Sequence, residues 1–146
     1  MAVNYRVLTC KPERVFEVFA DAWLYPSWVV GASRMRAVDE DWPAPGSALH
    51  HSVGVWPALI NDTTSVLEWD PPRHVLLKAR GWPIGEANVA IDVHNHPNGC
   101  LVRLSEYPVA GSARLVPRLL TDPALHIRNT ETLQRLAYLA EGNAAQ

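Results

Sequence analysis

Residues 85–107 read GEANVAIDVHNHPNGCLVRLSEY, and this stretch decides the fold. Apolar positions alternate with polar or small ones on both sides of one turn signal: Val89, Ile91 and Val93, then Val102 and Leu104. Alternation with a period of two is typical of strands that are buried on one face. The Pro97-Asn98-Gly99 turn between them predicts a β-hairpin with strands over 85–94 and 100–107.

The same pattern extends toward the N-terminus. Apolar runs of strand length, separated by turn signals rich in proline, glycine and asparagine, predict strands near 33–38, 47–56, 63–69 and 73–80. Residues 3–10 predict a first strand, with Val3, Tyr5 and Val7 on one face. Short connections at this spacing indicate an antiparallel meander.

Two short helices are expected after the first strand. Pro12 suits a first helical turn, and an apolar stripe follows it, so a helix is predicted over residues 12–19. Asp21 is then expected to cap a second short helix through Trp23 and Leu24, which Pro26 interrupts.

The chain ends in a long amphipathic helix. Thr121-Asp122-Pro123 predicts its start, and Gly142 its end. At 1.5 Å per residue, about nineteen residues give a helix about 28 Å long. One face is formed by residues that recur at three- and four-residue steps, which are Leu125, Asn129, Leu133, Leu136, Ala137 and Ala140. The other face includes Arg128.

Composition limits the class of protein. The chain has 146 residues, which supports a single domain over 1–146, and 48% of them are hydrophobic. A formal net charge of -2 argues against a nucleic-acid partner. No apolar run is long enough for a membrane span, no secretory signal is visible, and two cysteines are too few for a disulfide scaffold. We therefore expect a cytoplasmic protein.

These elements predict an α+β fold: a seven-stranded antiparallel sheet, two short helices after strand 1 and one long C-terminal helix. One helix about 10 Å wide cannot cover such a sheet, so the simplest geometry curves the sheet around the helix. Curvature leaves a gap between the concave face and the helix. A cavity is therefore expected.

Several segments spread over nearly the whole chain form a pattern: residues 11–16 (KPERVF), 25–31 (YPSWVVG), 42–47 (WPAPGS), 70–72 (DPP) and the helix around 128–141. With these segments the sequence resembles the START-related, birch-pollen-allergen-like helix-grip superfamily, SRPBCC, and within it the bacterial polyketide cyclase/dehydrase-like branch. The resemblance implies a hydrophobic ligand cavity between the sheet and the last helix, with an entrance near the short helices.

Six of the twelve aromatic residues are tryptophans, and their positions suggest a ligand site. Trp23, Tyr25 and Trp28 are candidates for an aromatic rim at the cavity mouth; alternatively, the tryptophans anchor a short helix to the core. Trp56 and Trp82 each precede a proline at a strand end. They either wall the pocket or plug the open end of the sheet.

The histidines do not predict a metal site. His94 and His96 have ligand spacing, but their parity in the strand places them opposite Val93, toward solvent, and no cysteine pair or H-E-x-x-H motif accompanies them. His50 and His51 point to opposite faces, and His51 is the interior candidate. No metal and no cofactor is predicted.

Glu106 is the carboxylate of most interest, because it shares parity with Val102 and Leu104 and should face the concave side. A carboxylate there is costly unless it is paired or protonated. It is either an acid/base or polar anchor in the cavity, or a strand-end residue that reaches water or pairs with an arginine or histidine. Possible companions are Arg80, which parity places outside, and His126 and Asn129, which lie three residues apart on the last helix.

Two functions follow. The first is binding of a hydrophobic or amphipathic small molecule, such as a lipid, an aromatic metabolite or a polyketide-like compound. The alternative is a polyketide cyclase/dehydrase-like enzyme, with Glu106 or His51 as base and His126 or Tyr25 as donor. A protein-interaction module is a third, weaker possibility, and a homodimer is left open. If the first and last strands pair, as in the family, Cys10 and Cys100 become neighbours, and we expect free thiols.

Overall fold

The protein was analysed as a computed structural model, which describes residues 2–30, 32–53, 60–81, 85–110 and 118–144. One sheet contains β1 (Ala2–Leu8), β2 (Ala32–Val38), β3 (Ala48–Val53), β4 (Ile60–Asp70), β5 (His74–Gly81), β6 (Gly85–His96) and β7 (Gly99–Ala110). The helices are α1 (Pro12–Ala20), α2 (Tyr25–Trp28) and α3 (Arg118–Ala144), with a 3-10 turn at Ala22–Leu24. The predicted α+β architecture is confirmed. Within the described ranges, no helix is both long and apolar enough to cross a membrane.

The sheet is a seven-stranded antiparallel meander whose first strand closes onto the last, in the order β1-β7-β6-β5-β4-β3-β2. In the β6–β7 hairpin, Ile91 pairs with Leu104 and Val93 with Val102, which puts the alternating apolar residues on one face. Gly99 completes the turn with a φ of 143°, and a Cβ atom there would collide with the backbone of Leu8 and Cys10. Only glycine therefore lets the hairpin turn lie against the end of β1.

The more apolar face of strand β1 is turned toward solvent, and the opposite face is buried. Val3, Tyr5 and Val7 do share a face, but Tyr5 is 61% exposed and Val7 41%. The buried face carries Asn4, whose Nδ2 donates to the His126 carbonyl at 3.0 Å and to Thr130 Oγ1 at 2.9 Å. These hydrogen bonds to α3 offset the cost of burying the amide nitrogen, so a polar side chain can occupy an inward position.

The two short helices differ in how well the sequence predicts them. Helix α1 begins at Pro12 as expected, and its apolar stripe is buried. The helical segment predicted through Trp23 and Leu24 is present as the 3-10 turn with Asp21 at its N-cap position, but α2 follows it directly, so the interruption predicted at Pro26 is wrong. The Asp21 side chain makes no capping hydrogen bond, and Pro26 lies within the first turn of α2, where a missing N–H costs nothing.

Helix α3 is longer than predicted, with 27 residues and hence a length of about 40 Å. It starts at Arg118 and runs past Gly142 to Ala144, so both predicted boundaries are wrong. Pro123 lies inside the helix near its beginning, where it removes a single backbone hydrogen bond rather than marking the start. A helical glycine costs only about 1 kcal/mol relative to alanine, so Gly142 need not end the helix.

The core lies between α3 and the concave face of the sheet. Helix α3 packs mainly against β1, α1, α2 and β7. Its buried face carries Asn129, Leu133, Leu136, Ala137 and Ala140. This placement leaves space over β5 and β6.

The end of β1 meets the start of β7, with Leu8 opposite Cys100 in the register. The thiols of Cys10 and Cys100 are within hydrogen-bond distance, and both are free cysteines. Burial raises the pKa of Cys10 and raises the pKa of Cys100 to about 12. Both thiols are therefore protonated at neutral pH and poor nucleophiles.

Candidate functional site

A cavity lies between α3 and the sheet, with about 360 Å³ of space not filled by atoms, part of it open to solvent at the mouth. Strands β5, β6 and β7 supply Leu77, Val89, Ile91, Leu104 and Glu106. The segment around α2 supplies Tyr25, Trp28 and Val29, and α3 supplies Arg128, Asn129 and Thr132.

Aromatic packing holds α2 against one wall of this cavity. The Tyr25 and Trp28 rings meet edge to face with centroids 5.6 Å apart, and Trp28 lies 5.3 Å from Phe19 of α1. Tyr25 and Trp28 are 6% and 4% exposed. Because both side chains are core residues as well as lining residues, the aromatic wall is fixed in place.

The polar end of the cavity is built around Glu106, whose side chain is 7% exposed. Arg128 Nη2 and Asn129 Nδ2 both donate to Glu106 Oε2, the second at 3.0 Å. The carboxylate is thus paired and hydrogen-bonded, as a buried charge requires.

Among the companions predicted for Glu106, Asn129 is present and the other two are elsewhere. Arg80 lies outside and pairs with Glu86. His126 is exposed, whereas Asn129, three residues further along the helix, is buried. Arg128, which the sequence placed on the other helix face, supplies the cation because its long side chain reaches around the helix.

A second polar feature connects the cavity to His51. Tyr25 Oη lies 3.0 Å from Thr64 Oγ1, and Thr64 Oγ1 lies 2.9 Å from His51 Nε2. All three residues are buried, and the rings of Tyr25 and His51 are 5.3 Å apart. Thr64 was not singled out from the sequence, although its position in an alternating strand places its hydroxyl inward.

Burial shifts the titration of both rings. It lowers the pKa of His51, an effect only partly countered by the nearby Asp62, so the imidazole is neutral at pH 7. Burial also raises the pKa of Tyr25 to about 12, so its hydroxyl stays protonated. The hydrogen bonds that link Tyr25, Thr64 and His51 can therefore pass a proton or fix the orientation of the Tyr25 hydroxyl.

Among the other predicted ligand-binding residues, Trp23 is not part of the cavity lining. Trp23 is 61% exposed. Trp56 and Trp82 lie outside the described residues. His94 is exposed, and the backbone N–H of Asn98 donates to His96 Nδ1 at 3.1 Å. In the part of the chain that the structure describes, no three His, Cys, Asp or Glu residues are grouped to hold a metal ion.

A curved antiparallel sheet around a C-terminal helix, with an apolar cavity between them, defines the helix-grip class of proteins. The sequence model of the polyketide cyclase/dehydrase and lipid transport family matches residues 3–141. The chain belongs to this family. A search of curated protein sequences gives no significant match.

Solved structures share the fold at low sequence identity. Protein NE0264 from Nitrosomonas europaea superposes with a TM-score of 0.75 at 15% identity, covering 99% of this chain and 96% of the other. Protein CV1439 from Chromobacterium violaceum gives 0.69 at 18% identity, with 94% of each chain covered. The di-domain ARO/CYC protein StfQ of the steffimycin biosynthetic pathway gives 0.76 at 10% identity, covering 99% of this chain and 52% of StfQ. The chain thus spans about half of that protein.

Proposed function

We propose that the protein binds a hydrophobic or amphipathic small molecule in the cavity between the sheet and α3. The observation that carries the proposal is a cavity with apolar and aromatic walls and one paired carboxylate. Such a combination buries an apolar body and orients it through a few polar contacts. Membership in a family described by polyketide cyclase/dehydrase and lipid transport agrees with this class of ligand.

The state of Glu106 favours binding over acid/base chemistry at that residue. Its Oε2 accepts from both Arg128 and Asn129, so the carboxylate is held as an ion-paired acceptor. A general base must offer an oxygen to the substrate proton, whereas Glu106 Oε2 already accepts two hydrogen bonds, one of them from a guanidinium.

Native mass spectrometry after mild purification tests the binding proposal. We expect the wild-type protein to carry a small molecule, or to take one up from an added mixture of neutral lipids and aromatic compounds. The variant Val89→Phe, which fills the cavity, should lose this mass. A matched variant on the outer face of β1, Val7→Phe, should keep it. A wild-type protein that binds none of these compounds would overturn the proposal.

The Tyr25–Thr64–His51 chain favours a second candidate, a cyclase/dehydrase-like enzyme. Tyr25 lines the cavity, and Thr64 links its hydroxyl to a neutral imidazole that can accept a proton. Proton removal next to a carbonyl group is the step these groups would assist: the Tyr25 oxygen would take the proton from the carbon while the hydroxyl protons of Tyr25 and Thr64 shift along the hydrogen bonds to His51 Nε2.

Deuterium exchange distinguishes the two candidates. An aryl β-diketone in D₂O exchanges the protons between its carbonyl groups, and NMR follows the rate. An enzyme of this kind should accelerate the exchange, and Thr64→Val, which breaks the chain to His51, should abolish the acceleration while ligand binding persists. No acceleration by the wild-type protein would reject the enzyme candidate.

A further inference from the structure

We propose that Glu106 makes the cavity selective for uncharged ligands that carry a hydroxyl group, and selects against carboxylates. The inference rests on the proposed binding function and adds the chemistry of the ligand's polar group. It begins from an asymmetry in the carboxylate. Arg128 and Asn129 both donate to Oε2, and no described residue donates to Oε1. In the proposed binding mode, a ligand hydroxyl donates to Oε1, because Glu106 lines the cavity and Oε2 already accepts two hydrogen bonds.

The positions of the charged groups determine whether the cavity favours neutral or anionic ligands. Among the described residues, Glu106 and Arg128 are the charged groups that line the cavity. The Glu106 side chain is 7% exposed and the Arg128 side chain is 39% exposed, so the carboxylate belongs to the more buried of the two side chains. Arg128 Nε is itself buried and has no hydrogen-bond partner among the described residues. Arg128 Nη2 is already shared between Glu106 Oε2 and Asn129 Oδ1, the latter at 3.4 Å.

A hydroxyl group can donate to the open carboxylate oxygen, and hydrogen bonds to charged groups are about twice as strong as neutral ones. A ligand carboxylate has no proton to donate at neutral pH and is repelled by Glu106 at short range. An ether has neither the donor nor the charge. Comparing a hydroxyl, a carboxylate and an ether on the same aromatic ring therefore separates the effect of hydrogen-bond donation from the effect of negative charge.

The walls of the cavity set the shape of the probe. Tyr25 and Trp28 provide flat aromatic surfaces, and the strand residues opposite are aliphatic. Fused aromatic rings stack on flat aromatic surfaces, so the probes are 2-naphthol, 2-naphthoate and 2-methoxynaphthalene. At about pH 7 the first and third are neutral and the second is an anion.

Isothermal titration calorimetry of the wild-type protein with the three probes tests the inference. We expect 2-naphthol to bind at least about tenfold more tightly than either of the others, the size of one hydrogen bond to a charged acceptor. In Glu106→Gln, the amide can donate to a carboxylate, and 2-naphthoate should lose its disadvantage. Glu131→Gln removes a charge from an exposed position of α3, where Glu131 pairs with Arg135, and should leave the preference unchanged.

The outcomes separate this inference from the binding proposal. If 2-naphthoate binds the wild type as well as 2-naphthol, Arg128 is the anchor and the inference is wrong. If 2-methoxynaphthalene matches 2-naphthol, no donor is recognised and the inference is again wrong. If the neutral dye Nile red binds and no naphthalene does, only the inference fails, whereas absence of all binding rejects both. The comparison of the three naphthalene probes in the wild type tests the inference even if Glu106→Gln does not fold.

Discussion

At the scale of single residues, His51 shows how burial sets the chemistry of the site. Its Nε2 contacts Thr64, and its Nδ1 has no hydrogen-bond partner among the described residues. Burial in this position disfavours the imidazolium and lowers the pKa. In the unfolded chain the same ring titrates near its ordinary value of about 6.5. As the pH falls, His51 therefore gains its proton in the unfolded chain before it does so in the folded protein.

This difference predicts a pH dependence for His51→Gln. As the pH falls below about 6.5, the unfolded wild type gains a proton at residue 51 that the folded form does not, so the wild type loses stability. Glutamine keeps a polar group and does not titrate. The free energy of unfolding of the wild type minus that of the variant should thus decrease between about pH 8 and about pH 5. Urea denaturation measures it, and a constant difference would show that His51 is not held neutral by burial.

Much of the residue-level site follows from strand parity. Parity places Glu106 inward, and the cost of a buried charge then demands a partner. The identity of that partner does not follow, because the pattern of the last helix places Arg128 on the face opposite the apolar stripe, where an arginine is expected to meet solvent. The inward hydroxyls of Thr64 and Thr132 were also missed, since threonine is as common on the polar face of a strand or helix.

At the scale of elements, α3 approaches the sheet through small side chains. Ala137 and Ala140 are fully buried beside Leu133 and Leu136. Small residues there set the distance between helix and sheet, and the space above β5 and β6 depends on that distance.

Replacing one of these alanines with a larger residue tests whether α3 packs closely against the sheet. Ala137→Leu forces extra volume into a packed interface and should lower the free energy of unfolding by about 1–3 kcal/mol. Ala124→Leu makes the same exchange at an exposed position of α3 and should change it by less than about 0.5 kcal/mol. Thermal or urea denaturation compares the two. Equal effects would mean that the interface is not tightly packed.

Strand β5 carries a histidine that joins three strands. His74 Nδ1 lies 2.7 Å from Asp92 Oδ1 on β6, and its Nε2 lies 2.8 Å from Glu68 Oε2 on β4. Burial alone would lower the pKa of His74, but the hydrogen bonds to both carboxylates raise it above its usual value. The imidazolium thus stabilises the folded sheet.

His74→Gln should therefore show a pH dependence of opposite sign to that of His51→Gln. The contribution of His74 is fully present below about pH 6.5 and is lost as the pH rises through the raised pKa of the folded state. The free energy of unfolding of the wild type minus that of the variant should be largest near about pH 6 and smaller at about pH 8.5. His94→Gln removes an exposed histidine from β6 and controls for loss of an imidazole as such. A difference in the free energy of unfolding that increases with pH would contradict the claim that ion pairs of His74 stabilise the fold.

Element order and strand pairing follow from the sequence, and element ends follow less well. The alternation in β6 and β7 and the turn between them fix the hairpin. The start of α3 does not follow, because Pro123 is tolerated near the beginning of a helix as well as at its first position. The buried face of β1 does not follow either, since it depends on hydrogen bonds from Asn4 to a helix far along the chain.

At the scale of the whole molecule, a curved sheet and one long helix enclose more space than their side chains fill. The resulting cavity joins an aromatic wall, an aliphatic wall and one ion pair. The central claim is that this space holds a ligand. A lining residue should then control binding, whereas an equivalent residue on the outer face should not.

A fluorescence titration with Nile red tests this claim most directly. The wild type and Val7→Phe should give the same saturable, blue-shifted emission. Val89→Phe, folded as judged by circular dichroism, should bind at least about tenfold more weakly, because its ring occupies the cavity. Saturable binding that is unchanged in Val89→Phe, or no saturable binding by the wild type, would contradict the account.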